Sequence, residues 1–147
     1  MAVRLVLADD HLVLRQALKA VLERRGLEVV ADEADGRAAV AAVQRLTPDV
    51  AVLDVSMPVL NGVDAAREIG RIAPNTPVIL LSGIDDARFV PEALKVGVRG
   101  FVQKNQGADD LVRAIEEVLQ GGLYVSPGAS QAIVDAFARG GGTAGGG

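Results

Sequence analysis

The sequence contains no cysteine and no tryptophan, and only one tyrosine, three phenylalanines and one histidine among 147 residues. Without cysteine there can be no disulfide, no thiolate metal ligand and no cysteine nucleophile, which agrees with a reducing cytosol. Aromatic residues make up 3% of the chain, leaving few platforms on which bases could stack. An excess of positive charge is missing too. The 15 Lys and Arg against 19 Asp and Glu give a net charge of -4, whereas affinity for nucleic-acid phosphates is carried by clustered basic residues. No apolar run reaches the ~20 residues that span a bilayer. The apolar start from Val3 to Ala8 stops at two aspartates rather than at a cleavage site. These absences predict a soluble, unexported, cytoplasmic protein with no membrane or direct nucleic-acid partner, and the length allows one domain with a single core.

What is present is a repeated alternation. A strand is predicted over residues 3–8, and the period then becomes helical, with Leu14, Ala17, Leu18, Val21 and Leu22 on one face and Gly26 as the stop. A second strand runs from about Leu27 to Ala34. The helix after the Asp35-Gly36 turn turns Val40, Val43 and Leu46 inward and ends at Pro48. Residues 49–54 form the third strand. The helix of about 62–73 packs Val63, Ala66, Ile69 and Ile72. The fourth strand starts at Pro77 and ends at Ser82-Gly83, and the fourth helix spans about 86–96, where Pro91 either lies in the first turn or kinks the helix. The fifth strand, Val98 to Gln103, ends in Lys104, and a fifth helix runs from Asp109 to Gln120. Five such units imply an α/β fold, a five-stranded parallel sheet with helices on both faces. Beyond it, Ser126-Pro127 signals a further helix start, with Ser130, Ile133, Val134 and Phe137 as an apolar stripe. Residues 140–147 are glycine-rich and predict a flexible coil.

Ligands of parallel sheets collect at the carboxyl ends of the strands. On this scaffold Asp9 and Asp10 follow strand one, Asp54 ends strand three, Ser82 ends strand four and Lys104 follows strand five, all on one edge. Like charges about 4 Å apart repel by on the order of 4 kcal/mol at an effective dielectric of 20, so three carboxylates call for a cation. Oxygen ligands without a histidine or thiolate cluster favour Mg²⁺. Such an aspartate either holds the metal for another molecule's phosphate or is itself a nucleophile. The sole histidine, His11, reads as a helix-start or packing residue.

The motifs Leu5-Val6-Leu7-Ala8-Asp9-Asp10-His11, Val52-Leu53-Asp54-Val55-Ser56-Met57-Pro58, Leu80-Leu81-Ser82-Gly83 and Gly100-Phe101-Val102-Gln103-Lys104, in this order, resemble a response regulator receiver domain over residues 3–121. The Asp-Asp-His start and the stretch from Gly122 to Pro127 are similar to the NarL/FixJ (LuxR) type, in which a DNA-binding helix-turn-helix domain usually follows the receiver. The resemblance implies a flavodoxin-like sandwich with strand order 2-1-3-4-5. It makes Asp54 the phosphoacceptor for a sensor histidine kinase or a small acyl phosphate. Asp10, Asp54 and the Ser56 backbone carbonyl would ligate Mg²⁺, with Asp9 acting partly through water and Mn²⁺ able to substitute. Lys104 and Ser82 would contact the phosphoryl oxygens, and Ser82 with Phe101 would form the switch. The surface of helix four, strand five and helix five, with Phe89, Val90, Phe101, Asp109, Arg113 and Glu117, would carry output or homodimerisation. Residues 1–122 are then the receiver domain, 123–139 a linker with a short amphipathic helix, and 140–147 the tail.

Where many receivers have a cis proline after the lysine this chain has Asn105, and a cis bond there would cost ~3–4 kcal/mol, so a trans bond is expected. Gly83 leaves the approach to Asp54 open. Three rivals remain. A flavodoxin-like cofactor protein would need a phosphate-cradling loop after strand one, where Asp9 and Asp10 would instead repel phosphate. An aspartyl-phosphate hydrolase would show Asp-x-Asp there. A degenerate receiver serving as a phosphorylation-independent binding module would lack some of these residues, and none is missing.

Overall fold

The computed structural model describes residues 2–83, 88–104 and 107–127, together with 129, 130, 134 and 138. The expected start of helix four near 86, the Lys104–Asn105 peptide, Ile133, Phe137 and the tail lie outside the described residues. The chain alternates β1 (Arg4–Ala8), α1 (Leu12–Arg24), β2 (Glu28–Glu33), α2 (Gly36–Leu46), β3 (Val50–Asp54), α3 (Gly62–Ile72), β4 (Val78–Ser82), α4 (Val90–Lys95), β5 (Gly100–Gln103), α5 (Ala108–Leu119) and β6 (Tyr124–Val125). All pairings are parallel, in the order β2-β1-β3-β4-β5-β6.

Among the described residues the sheet therefore has six strands, one more than the sequence pattern predicts. Tyr124 and Val125 pair with Gly100 and Phe101, and Ser126 N donates to the Phe101 carbonyl at 2.9 Å. Two residues are too few to show a period, so this strand exists only because the edge of β5 accepts it. The helix expected after it begins with an N-cap: Ser126 Oγ, fully buried, accepts from Ala129 N at 3.3 Å. Helical backbone continues at Pro127, Ala129, Ser130, Val134 and Ala138.

Because the strands are buried on both faces, alternate residues feed two cores. Val6, Ala8, Ala51, Leu53, Leu80 and Phe101 pack against α2, α3 and α4. Leu5, Leu7, Val50, Val52, Ile79, Leu81 and Val102 pack against α1 and α5. In α1 the face differs from the expected one. Arg15 and Leu22 are its buried residues, Leu14, Leu18 and Val21 are half-buried and Ala17 is exposed, because Arg15 is drawn inward by acceptors described below. Ile72 is likewise 38% exposed at the end of α3. No described helix is long and apolar enough to cross a membrane.

Asp35 caps α2 by accepting from Ala38 N at 2.8 Å, and Asn61 caps α3 by accepting from Asp64 N at 2.9 Å. We expect Asp35→Ala to cost about 1 kcal/mol, read as a lower urea midpoint at unchanged slope. An unchanged midpoint would show that this cap adds nothing.

Candidate functional site

Strand register assembles the site. Ala8 faces Leu53 and Asp54 faces Leu81, while Ser82 faces Gln103. The residues that end or follow these strands, Asp9, Asp54, Ser82 and Lys104, are thus brought to one edge. Asp9 and Asp54 are buried, at 0% and 1% exposure. Lys104 reaches between them, donating to Asp54 Oδ2 at 2.9 Å and lying 3.3 Å from Asp9 Oδ2. Ser56 N donates to Asp54 Oδ1 at 3.2 Å. Asp10 is exposed and Ser82 half-buried. Asp10, Ser56, Pro58, Asn61 and Phe89 line an open hollow of about 430 Å³ beside the carboxylates. Two other hollows lie at the opposite edge of the sheet, around 74–77, without converging charges.

One ammonium does not neutralise two buried carboxylates, and the acidities show it. Burial pushes the Asp54 carboxyl up, the Lys104 hydrogen bond pulls it back, and the Asp9 charge pushes it up again, leaving it at about 6. For Lys104, burial favours the neutral amine, but its hydrogen bond to Asp54 and the charges of Asp54 and Asp9 outweigh this and hold it above the usual lysine value. Asp9 Oδ2 is a fully buried oxygen that receives no hydrogen bond among the described residues and has only the Lys104 charge at 3.3 Å against it. A dication fits that deficit. Oxygens of Asp9, Asp10 and Asp54 and a ring nitrogen of His11 all lie within 4.8 Å of one another.

Asp9 is fixed from three directions. Its N–H donates to the Glu33 carbonyl at 3.0 Å, its Oδ1 accepts from His11 N at 2.8 Å, and its carbonyl accepts from Arg15 Nη1 at 2.5 Å. Arg15 Nε also pairs with Asp32 Oδ1 at 3.2 Å, and Lys19 Nζ with Asp32 Oδ2 at 3.2 Å. Although burial acts to raise the Asp32 carboxyl, these two cations hold it below its ordinary value. Arg15 is a residue that sequence reasoning missed. Its only signal is a cation on an apolar stripe, one heptad before Leu22.

Phe101 is inward, 3% exposed, and packed in the same core as Val90 and Ala93 of α4. The surface expected of α4, β5 and α5 is altered accordingly. Val90 and Phe101 are core residues, the edge of β5 is covered by β6, and Asp109 pairs with Arg25 of α1. Arg113 and Glu117 remain exposed. The Gly62 backbone fits against β3, where an added Cβ would stand 2.2 Å from the Asp54 carbonyl oxygen, and Gly36 meets the Leu60 carbonyl just as closely.

The family model of the response regulator receiver domain matches residues 5–116. The chain is 37% identical over 138 residues to the transcriptional regulatory protein DegU of Brevibacillus brevis, covering 93% of this chain and 58% of DegU. It thus spans about three fifths of that relative's length. It is 35% identical over 118 residues to the chemotaxis protein CheY of Thermotoga maritima, covering 80% of this chain and 98% of CheY. Among solved structures, a LuxR-family two-component response regulator from Aurantimonas sp. SI85-9A1 superposes with a TM-score of 0.84 at 31% identity, covering 92% of this chain and 98% of that one. With these likenesses and the acidic edge of its parallel sheet, the chain belongs to the response regulator receiver domain family and is a signalling domain of a two-component system.

Proposed function

We propose that Asp54 is the phosphoacceptor of this receiver, taking a phosphoryl group from a histidine-kinase phosphohistidine or a small acyl phosphate. The observation that carries this is the buried Asp54 carboxylate paired with Lys104 at 2.9 Å beside a second buried carboxylate, Asp9, whose Oδ2 shares the same ammonium at 3.3 Å. An Asp54 oxygen attacks phosphorus in line, the new O–P bond forms, and the P–N or acyl P–O bond breaks with its electrons leaving on the donor. Lys104 exchanges its carboxylate partner for a phosphoryl oxygen, and the Ser82 hydroxyl donates to another. Asp9, Asp10, Asp54 and the Ser56 carbonyl would hold Mg²⁺, or Mn²⁺ in its place. The ion supplies neutralisation of the phosphoryl charge. Phe101 and Ser82 form the switch, and the inward Phe101 rests on packing because it has no hydroxyl to bond. The partners are a sensor histidine kinase and, through the exposed part of α4 and α5, a second copy of the chain. Residues 1–122 form the receiver, 123–139 a linker whose first residues dock onto the sheet as β6, and 140–147 the tail.

The test is the intact mass after incubation with acetyl phosphate and Mg²⁺. Gain of one phosphoryl group supports the reading, and no gain points to the phosphorylation-independent binding module. Acidity gives a second prediction. Since the folded protein holds a proton on Asp54 up to about 6, proton and Mg²⁺ compete for it. Mg²⁺ affinity, measured by calorimetry, should be level above about pH 7 and fall below about pH 6, approaching about tenfold per pH unit. A flat profile down to about pH 5 would remove Asp54 from the ligand set.

A further inference from the structure

The one histidine is not used by this mechanism. His11 occupies the N-cap position of α1 but makes no side-chain capping bond, and its side chain is 67% exposed. It therefore neither starts the helix through its ring nor packs in the core, the two roles its sequence position offers. Its Nδ1 turns to the carboxylates instead, 3.1 Å from Asp9 Oδ1, 3.4 Å from Asp10 Oδ1 and 3.1 Å from Lys104 Nζ. An ammonium only donates and a carboxylate oxygen only accepts, so Nδ1 meets Lys104 through its lone pair in one tautomer of the ring and Asp9 Oδ1 through its N–H in the other, and a metal ion selects the lone-pair form. The Lys104 ammonium is in effect a resident monovalent cation whose neighbours reveal which atoms face a positive charge here. They are Asp54 Oδ2, both oxygens of Asp9, and His11 Nδ1. Asp9 Oδ2 lies within reach of that charge, yet it is buried and receives no hydrogen bond.

We propose that His11 Nδ1 is an additional ligand at this site for a borderline divalent transition ion of the Zn²⁺ class. Mg²⁺ takes oxygen donors and keeps several waters, so an imidazole adds nothing to its binding. Zinc and its neighbours in the Irving–Williams order accept imidazole readily. Three carboxylates plus one imidazole, with ligand atoms within 4.8 Å of one another, thus shift the preference of the site from Mg²⁺ toward transition ions. Such an ion would compete with Mg²⁺ and engage the Asp54 oxygens needed for phosphoryl uptake. This rests on the carboxylates being a dication site, as proposed above.

The experiment uses the whole chain. Zn²⁺ and Mg²⁺ affinities are measured by calorimetry for the parent and His11→Ala, with thermal melting to show that both fold. The ratio of Zn²⁺ to Mg²⁺ affinity should fall by at least about tenfold in the variant, the low end of what even outer-shell partners cost. Because the chain has a single histidine, its imidazole resonances are unambiguous, and this readout needs no variant. Zn²⁺ should shift them and excess Mg²⁺ should restore them. An unchanged ratio, unmoved resonances at saturating Zn²⁺, or a shift that Mg²⁺ does not reverse would overturn the proposal. Failure of the parent to bind Mg²⁺ at all would instead overturn the dication reading on which it rests.

Discussion

Asp54→Asn is expected to lose phosphoryl uptake completely and, in metal-free buffer at neutral pH, to melt several degrees higher than the parent. The first effect follows because an amide oxygen is too weak a nucleophile to replace the carboxylate in the proposed transfer. The second follows from electrostatics. The folded protein binds a proton at Asp54 more tightly than the unfolded chain does, the value being raised from 3.8 to about 6. The stability linked to that proton is fully present below about pH 4 and is lost as the pH rises through about 6. Asparagine is neutral at every pH, so its advantage is absent below about pH 4, grows between about 4 and 6, and is fully present above about 6. The raised value corresponds to at most about 3 kcal/mol. Melting curves at several pH values, alongside intact mass after acetyl phosphate, read both effects. A lower melting temperature near pH 7 would mean that the pair with Lys104 outweighs burial and the Asp9 repulsion. Any phosphoryl gain by the variant would place the acceptor elsewhere.

Two glycines of one helix should respond to alanine with opposite signs. At Gly62 the added methyl would stand 2.2 Å from the Asp54 carbonyl oxygen and 3.0 Å from its carbon, and the obstacle is the backbone of a central strand, which cannot rotate away. Overpacking of this kind typically costs 1–3 kcal/mol, occasionally more. Gly62→Ala should cost about 3 kcal/mol. It should also slow phosphoryl uptake, because relief of the clash displaces the strand end that aims Asp54. At Gly70, eight residues on in the same α3, the nearest atom is the Val96 carbonyl oxygen at 3.6 Å, an ordinary contact. Gly70→Ala should therefore stabilise by about 0.5–1 kcal/mol, the helix-interior difference between the two residues. Urea unfolding of both variants decides this. Equal shifts of one sign would show that helix propensity, not the approach to β3, governs both sites.

The five alternating units and the gathering of Asp9, Asp54 and Lys104 were legible because each of these residues follows a strand whose apolar run stops abruptly. Chain order and the right-handed crossover rule then suffice to put strand ends together. The misreadings share a physical cause, namely contacts made at long range. The α1 face follows hydrophobicity in the sequence reading, but Arg15 finds its partners at Asp9, just after β1, and Asp32 on β2, so a cation enters where Leu14 and Ala17 are expected. Two residues of β6 carry no pattern, and their strand state is imposed by β5. Val90 and Phe101 belong to the surface in the sequence reading but are buried, because both side chains join the core that Ala93 and Val98 share. The direction of the His11 ring was not legible either, since its nitrogen meets Lys104, 93 residues away, as well as its neighbours Asp9 and Asp10.

The sixth strand bears on how a downstream segment would be oriented. A segment joined through a loose tether samples many directions, and its encounters are governed by effective concentration alone. Here the chain leaves the domain from a fixed point. Ser126 is held by the Phe101 carbonyl at 2.9 Å and meets Gln103 N at 3.3 Å, and Gln103 adjoins Lys104 in the chain. Any displacement of β5 would reach Ser126 directly through these two hydrogen bonds, passing on a direction rather than a change in reach.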